Sequence, residues 1–251
     1  MSRITSNQPD STPTWIDLCV PDLKQAQDFY RAVFGWEYEP ASKESGSTTL
    51  CLLDGEPVAG LREGDPQQWL MYFATGDCDA LSRRIADTGG SLVQGPADLG
   101  TLARTAVAVD AVGAPFGLWE GRDLPGCAVV NEPDSLVRND LITPDPGPAR
   151  AFYTALLGFT LDANEAMPEL DFTFLRRPDG HEIGGIIGAP GAARSGWHTM
   201  FEVTDTDAVA ARANGAGGVS GPVSDFLYGR RAEITDPFGT VFEVIARPAT
   251  S

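Results

Sequence analysis

The sequence predicts an α+β fold in which two similar domains are built from tandem βαβββ units, and the main evidence is an internal repeat. One pattern of apolar residues occurs twice, 123 positions apart: Ala26, Phe29, Tyr30, Val33 and Phe34, then Ala149, Phe152, Tyr153, Leu156 and Leu157. Both sets have the i, i+3, i+4, i+7, i+8 spacing with which an amphipathic helix buries one face. A glycine follows each set, Gly35 in one and Gly158 in the other. The second half of the chain is therefore a copy of the first.

The length and composition agree with two globular domains. The 251 residues allow two domains of about 120 residues each, and 42% of the residues are hydrophobic while 21% are charged. The formal net charge of −17 disfavours contact with phosphate backbones or anionic lipid, so we expect neither a nucleic-acid nor a membrane partner. The charge itself has two interpretations, solubility and attraction of a cationic ligand. No apolar run approaches the roughly 20 residues that span a bilayer.

The N-terminal residues and the cysteines indicate a cytoplasmic protein. Residues 1–13 are rich in Ser, Thr, Asn and Pro and lack the basic start and apolar core of a signal peptide, so we expect a disordered tail. Four cysteines are scattered without CxxC spacing, namely Cys19, Cys51, Cys78 and Cys127. This pattern favours ordinary reduced thiols over a metal cluster or a disulfide framework.

The first domain is predicted at residues 14–121 and contains two units. Apolar and polar residues alternate over 15–20, as is typical of a strand. Asp22 is then the predicted N-cap of a helix, and Gln25 three positions later completes a capping box. Three short strands complete the first unit, at 36–39, 48–53 and 57–61. The second unit has a strand at 69–74, a helix at 79–88 and strands near 91–93, 103–110 and 116–120.

A linker at residues 122–135, which contains Pro125, Gly126 and Pro133, separates the two domains. The second domain, residues 136–248, repeats the plan. Its third unit has a strand at 136–143, a helix capped by Asp145 with Pro146 at the first helical position, and strands at 159–162, 171–177 and 182–187. Its fourth unit has a strand at 197–203, a helix at 207–214 and strands at 230–235 and 241–246.

Four such units in two pairs, with an Asp-x-x-Gly turn before the last strand of each pair at 110–113 and 236–239, form a specific pattern. From about Trp15 to Ala246 the chain resembles the vicinal oxygen chelate (VOC) superfamily, which includes glyoxalase I, bleomycin-resistance proteins, fosfomycin-resistance enzymes and extradiol dioxygenases. The resemblance implies two glyoxalase-like domains, each with a curved mixed β-sheet around an open cleft. It does not identify the reaction, since unrelated reactions share this fold.

Metal-using members of that superfamily place a His at the start of the first strand of a unit and a Glu in its last strand. In the second domain, His198 and Glu243 occupy such positions, whereas Arg138 stands where another His is expected and Gly184 where another Glu is expected. The resemblance therefore implies His198 and Glu243 as ligands of one divalent metal, such as Zn, Ni, Fe or Mn. Two ligands hold a metal poorly unless Asp140 supplies a third.

The first domain has no such ligands. Trp15 and Trp69 open its strands, while Ala59 and Gly117 stand at the positions expected for Glu. Together with Trp119, the two tryptophans could line a cleft that binds a flat or apolar ligand. The alternative is that all three belong to the core or to the domain interface.

Two aspartates occupy the same repeat position. Asp17 and Asp140 lie two residues after Trp15 and Arg138, and so on the same strand face. An inward carboxylate beside apolar walls has a raised pKa and can act as a general acid or base. Alternatively, each aspartate caps a loop or pairs with an arginine. Arg138 is a candidate anchor for an anionic or enolate oxygen.

The residues favour an enzyme that acts by proton transfer on a small aromatic or polyketide-like metabolite, as a lyase, isomerase, cyclase or hydrolase. Asp17, Arg138, Asp140, His198 and Glu243 are the candidate catalytic residues. A protein that sequesters a cationic drug, of the bleomycin-resistance type, is one alternative. A dioxygenase-like or hydroxylase-like oxidoreductase is another, although His181 is expected in a turn, away from His198. The expected partner is a small-molecule ligand, and the chain could be a monomer or a homodimer.

Overall fold

The computed structural model describes residues 3–43, 45, 47–65, 68–165 and 167–248. Within these residues the first sheet and its helices comprise β1 (Pro13–Val20), α1 (Leu23–Phe34), β2 (Glu37–Glu39), β3 (Thr49–Leu53), β4 (Glu56–Glu63), β5 (Leu70–Ala74), α2 (Cys78–Ile85), a 3-10 turn (Ala86–Thr88), β6 (Ser91–Leu99), β7 (Ala103–Val109) and β8 (Pro115–Gly121). The predicted helix at 79–88 is thus divided into α2 and the 3-10 turn.

The second sheet repeats this order with small changes. Its elements are β9 (Leu136–Thr143), α3 (Pro146–Leu157), β10 (Thr160–Ala163), β11 (Phe172–Arg176), β12 (Glu182–Gly188), β13 (Gly196–Glu202), α4 (Thr206–Gly215), β14 (Val219–Ser220), β15 (Ser224–Phe226), β16 (Gly229–Thr235) and β17 (Val241–Ala246). The two short strands β14 and β15 stand where the first domain has the single long strand β6, and the sequence did not predict them.

Both sheets are mixed and have equivalent strand orders. The first runs β2-β3-β4-β1-β5-β8-β7-β6, and the second runs β10-β11-β12-β9-β13-β17-β16-β14 with β15 beside β16. In each sheet the central strand is parallel to one neighbour and antiparallel to the other, as β1 is to β4 and β5. The α+β class and the tandem βαβββ units are therefore confirmed.

Local sequence explains where the repeated helices begin and end. The Asp22 carboxylate accepts a hydrogen bond from the Gln25 backbone N–H at 2.9 Å, which confirms the predicted N-cap of α1. Asp145 occupies the N-cap position of α3 without a capping side-chain bond, and Pro146 begins that helix as predicted. Both helices stop at a glycine in the left-handed region, Gly35 at φ 75° and Gly158 at φ 73°.

The apolar faces of α1 and α3 bury themselves against both domains. The Tyr30 hydroxyl on α1 donates to Asp236 of the second domain at 3.0 Å, and the Tyr153 hydroxyl on α3 donates to Asp110 of the first domain at 2.9 Å. The Arg212 guanidinium of α4 also donates to the Val33 carbonyl at 2.8 Å. The repeat therefore produces reciprocal contacts, in which each domain holds a helix of the other.

The N-terminal segment differs from the predicted disordered tail. Met1 and Ser2 lie outside the described residues, but Ile4, Asn7, Ser11 and Thr12 form hydrogen bonds with the rest of the chain. Ile4 N–H donates to the Ala128 carbonyl at 2.9 Å, and Ser11 N–H donates to the Ala74 carbonyl at 2.8 Å. The Ser11 hydroxyl also donates to the Leu157 carbonyl at 3.0 Å. The small polar residues supply donors to strand ends and a helix end that would otherwise lack partners.

The segment at 122–135 is packed against the first domain. Trp119 Nε1–H donates to the Leu124 carbonyl at 3.0 Å, and Cys127 N–H donates to the Thr14 carbonyl at 2.7 Å. Cys127 and Val129 are buried. These contacts fix the connection between the two sheets. Of the described helices, none has the length and apolarity needed to cross a membrane.

Candidate functional site

Strand pairing brings the candidate residues to one face of each sheet. In the first sheet Trp15 lies opposite Tyr72, which lies opposite Gly117, and Asp17 lies opposite Gly60. Residues directly opposite each other share a face. We call this face the first hollow and define it by Trp15, Asp17, Tyr72, Gly117 and Trp119.

The equivalent face of the second sheet bears the polar candidates. Arg138 lies opposite Met200, and Met200 lies opposite Glu243. His198 lies opposite Asp140. We call this face the second hollow and define it by its polar side chains, namely Arg138, Asp140, Glu182, His198, Arg231, Glu233 and Glu243. The sheets thus bring together four of the five predicted catalytic residues and leave Asp17 in the other domain.

The first hollow is filled by its own side chains. Trp15 stacks on Trp119 with ring centroids 5.0 Å apart, and Tyr72 packs edge-on against Trp119 at 5.7 Å. The Tyr72 hydroxyl donates to Asp17 at 2.9 Å, and Arg62 forms an ion pair with Asp17 at 3.0 Å. Burial raises the pKa of Asp17, and Arg62 opposes this rise. Asp17 therefore has the paired role that the sequence left open, and a catalytic role for it remains a prediction.

A glycine makes this filling possible. A Cβ added at Gly117 would lie 2.0 Å from the ring of Tyr72, far inside van der Waals contact. Gly117 is the position at which metal-using members of the superfamily were expected to carry Glu. In this chain the space beside it contains the Tyr72 ring.

The three predicted ligand-binding tryptophans are all buried. Trp15 is 0% exposed, and Trp69 and Trp119 are each 1% exposed. Trp69 packs among Tyr30, Trp36 and Phe201 at the domain interface. Burial and these neighbours agree with the core and interface positions that the sequence left as an alternative, and ligand binding by these rings remains a prediction.

The position of Trp69 also differs from its predicted register. Leu70 lies opposite Asp17 just as His198 lies opposite Asp140, so Leu70 is the equivalent of His198. Trp69 is then equivalent to Trp197, which is also buried. The one-residue difference turns the ring to the other face of the strand.

In the second hollow, an anchored arginine lies beside Asp140. Arg138 Nε donates to Asp140 Oδ2 at 2.7 Å, and its Nη1 donates to Glu182 Oε1 at 3.0 Å. The guanidinium lies 5.7 Å from the centre of the Phe172 ring, a cation–π distance. That ring occupies the space beside Gly185, where an added Cβ would lie 2.3 Å from it. Burial raises the pKa of Asp140, and Arg138 opposes this rise.

A second arginine faces the other carboxylates. Arg231 Nη1 lies 3.7 Å from Glu243 Oε2, and its guanidinium lies 4.2 Å from the centre of the Phe226 ring. Burial raises the pKa of Glu243; Arg231 lowers it, while Asp140 and Glu233 raise it further. His198 and Glu233 line a cavity of about 440 Å³ that also contacts Gln68 of the first domain, whereas Arg138 and Glu182 line a separate cavity of about 190 Å³. The second hollow therefore offers two carboxyls with raised pKa values, an imidazole and two guanidiniums.

The donor set does not fit a bound metal ion. In the described part of the chain, no three His, Cys, Asp or Glu side chains lie close enough together to hold one. The Asp140 carboxylate is paired with Arg138, and Glu243 faces Arg231. A metal ion at either carboxylate would be repelled by the positively charged guanidinium that already lies there, unless it displaced that group. The ligand role of His198 and Glu243 stays a prediction.

Several residues of this site were absent from the sequence interpretation. Glu182, Arg231 and Glu233 were missed as polar members, and Phe172 and Phe226 as aromatic ones. Arg231 and Glu233 are two apart on β16, and Glu233 lies opposite Glu243. If the two successive strands β16 and β17 are paired as an antiparallel hairpin, Arg231 and Glu233 fall on the same face as Glu243, and this signal was available in the sequence. His181 lies exposed in the turn before β12, as predicted.

The protonation of His198 is directly measurable because the chain has only two histidines. Burial lowers the pKa of His198, and the Glu233 carboxylate opposes this. We expect ring NMR signals of His198 to titrate at a lower pH than those of a free histidine. Glu233→Gln is expected to lower the midpoint further, because the removed carboxylate stabilises the imidazolium. His181→Ala identifies the signals, and a midpoint at or above that of free histidine would contradict this environment.

Comparison with known proteins agrees with this architecture. The profile of the Glyoxalase/Bleomycin resistance protein/Dioxygenase superfamily matches residues 12–119 and 134–244. The chain is 35% identical over 256 residues to a putative glyoxylase, CFP32, of Mycobacterium tuberculosis, with 97% of each chain covered. It is 34% identical over 259 residues to the anthracycline biosynthesis protein DnrV of Streptomyces peucetius, covering 93% of this chain and 92% of that one.

Solved structures share the fold at low sequence identity. The Mn(II)-bound glyoxalase of Novosphingobium aromaticivorans is 19% identical, with a TM-score of 0.67 and coverage of 94% of this chain and 82% of that one. The 2,2',3-trihydroxybiphenyl 1,2-dioxygenase of Sphingomonas wittichii strain RW1 is also 19% identical, with a TM-score of 0.64 and coverage of 95% and 91%. The paired βαβββ units and the profile match over both domains show that the chain belongs to the glyoxalase/bleomycin resistance protein/dioxygenase superfamily, the VOC superfamily.

Proposed function

We propose that this protein is an enzyme that transfers protons on a small aromatic or polyketide-like metabolite, and that the reaction takes place in the second hollow. The observation that carries the proposal is the contrast between the two hollows. The side chain of Asp17 is 4% exposed and enclosed by Arg62, Tyr72 and the tryptophans, whereas the side chains of Asp140 and Glu243 are 15% and 27% exposed. Only the second hollow leaves its carboxyl groups within reach of a ligand.

The raised pKa values suit acid–base chemistry. A general base works best when its pKa lies near the working pH, and burial moves both Asp140 and Glu243 in that direction. Asp140 would accept a proton from an acidic C–H or O–H of the ligand, and Glu243 or neutral His198 would exchange a proton at a second position. The ligand oxygen that becomes negative would lie near an arginine.

The walls of the hollow support an aromatic ligand. Phe172 lies beneath Arg138 and Phe226 beneath Arg231, so an aromatic ring backs each guanidinium. Aromatic side chains bind flat rings through stacked or edge-on contacts. The relatives named for anthracycline biosynthesis add support for a ligand of the polyketide class.

The proposal can be tested with anthrone, a flat ketone with an acidic methylene group. In D₂O we expect the protein to accelerate exchange of the methylene hydrogens, measured by NMR. Asp140→Asn and Glu243→Gln are expected to reduce this acceleration by about 100-fold or more. Asp98→Asn is the control, because Asp98 also binds two arginines, Arg104 and Arg122, but on the outside of the first domain.

The same assay separates catalysis from sequestration. The second hollow has four carboxylates, Asp140, Glu182, Glu233 and Glu243, and two arginines, so it could also attract a cationic drug. Equilibrium dialysis of anthrone against the protein measures binding alone. If anthrone binds but exchanges no faster than in buffer, or if both variants exchange it as fast as the unmodified protein, proton transfer in this hollow is contradicted.

A further inference from the structure

Arg138 occupies a specific place in the strand register. It lies opposite Met200, which lies opposite Glu243, and it is two residues from Asp140, the partner of His198. This is the position at which the superfamily resemblance leads one to expect a metal-binding His. Here the carboxylates of Asp140 and Glu182 bind its guanidinium.

The guanidinium is held on two sides and free on a third. Asp140 binds Nε and Glu182 binds Nη1, while the Phe172 ring lies beneath the group. Nη2 has no hydrogen-bond partner among the described residues, and the side chain is 29% exposed. Arginine is a planar donor that keeps its charge, so this arrangement is a fixed cation with one N–H edge open to a ligand.

We propose that the guanidinium of Arg138 takes the place of the metal ion in this hollow and binds the oxygen anion formed during the reaction. The inference rests on the proposed function. When Asp140 takes a proton from the ligand, the ligand oxygen acquires the negative charge that the aspartate loses. Arg138 contacts the aspartate before the proton transfer and the oxygen anion after it. The negative charge therefore lies beside the guanidinium both before and after the transfer.

The first test measures metal content and requires no substrate. The protein is dialysed against MnCl₂ or ZnCl₂, and bound metal is determined by elemental analysis. We expect no stoichiometric metal in the unmodified protein. One metal ion per chain that is lost in His198→Ala or Glu243→Gln would overturn the inference without affecting the proton-transfer proposal.

The second test reverses the replacement. Arg138→His, combined with Arg231→Met to remove the guanidinium that faces Glu243, adds an imidazole near His198 and Glu243, and the three side chains then make a two-His, one-carboxylate ligand set. We expect this variant to gain one Mn²⁺ or Zn²⁺ per chain, and adding Glu243→Gln to remove it. If the folded double variant binds no metal, Arg138 does not occupy the metal position and the inference is overturned.

The third test measures anion binding with 4-nitrophenol, whose absorbance distinguishes the phenol from the phenolate. We expect the protein to lower the apparent pKa of the bound probe by about one unit or more, equivalent to roughly tenfold stabilisation of the anion. Arg138→Met should abolish this shift and Arg138→Lys should restore part of it. Arg230→Met is the matched control, since Arg230 also binds two carboxylates, Asp207 and Asp225, outside the hollow. An unchanged shift in Arg138→Met would overturn the proposal.

Discussion

Replacing Gly117 with alanine is expected to destabilise the protein by about 3 kcal/mol. The added Cβ would lie 2.0 to 2.5 Å from three atoms of the Tyr72 ring. That ring cannot easily move away, because its hydroxyl is bound to Asp17 and its edge packs on Trp119. The filled hollow would have to open, or the strand carrying residue 117 would have to shift.

Urea denaturation measures this loss, with Gly95→Ala as the control. Gly95 lies in β6, and an added Cβ there would have no neighbour within 4 Å. Its replacement should therefore change the free energy of unfolding by less than about 0.5 kcal/mol. Tyr72→Ala should reduce the additional cost of Gly117→Ala, which a double-mutant cycle detects. If Gly117→Ala were as stable as Gly95→Ala, the first hollow would not be closed by the Tyr72 ring.

Replacing Asp236 with alanine is expected to cost about 4 kcal/mol, the second large effect on stability. The carboxylate accepts hydrogen bonds from the Tyr30 hydroxyl at 3.0 Å and from the backbone N–H groups of Phe238 and Thr240, each at 2.8 Å. Asp236 is 3% exposed. Its removal would leave these donors unpaired in the interior, and it would break the link between α1 and the second domain.

Tyr30→Phe separates the parts of this effect. It removes the hydrogen bond between domains but leaves both backbone bonds of the turn, so we expect a loss of about 1 kcal/mol. In the other half, Asp110 accepts the corresponding bonds, but Tyr153→Phe should cost more than Tyr30→Phe because the Tyr153 hydroxyl also accepts a hydrogen bond from the buried Trp197 Nε1–H at 2.8 Å. Thermal unfolding and urea denaturation both report the difference. A cost for Asp236→Ala no larger than that for Tyr30→Phe would contradict the role of this aspartate in the turn.

The sequence predicted those features that depend on local pattern. The spacing of apolar residues located α1 and α3, and alternation along β9, β13 and β17 placed Asp140, His198 and Glu243 on one face. The sequence did not predict the features that depend on contacts between side chains from distant strands. Whether a hollow is filled depends on the fit of the Tyr72 ring against Gly117, which are 45 positions apart. No single strand contains that information.

The partners of the charged residues were equally hidden. Asp17 and Asp140 hold the same repeat position, yet one binds Arg62 from β4 and the other binds Arg138 from its own strand. Long flexible side chains can reach a carboxylate from several positions, so spacing alone does not select the arginine. The register of β5 was also ambiguous by one residue, which moved Trp69 from the hollow to the interface.

The contacts that α1 and α3 each make with the opposite domain determine how the molecule responds to proteolytic cleavage. A protease that cleaved the connection at 122–135 would produce a nicked protein whose fragments stay together, because Tyr30 and Tyr153 each remain bound on the opposite side. Either fragment alone would expose the part of its helix face that packs on the other domain. The chemistry of the two halves could diverge during evolution, but the surfaces through which they contact each other had to stay complementary. The two domains are expected to unfold as one cooperative unit.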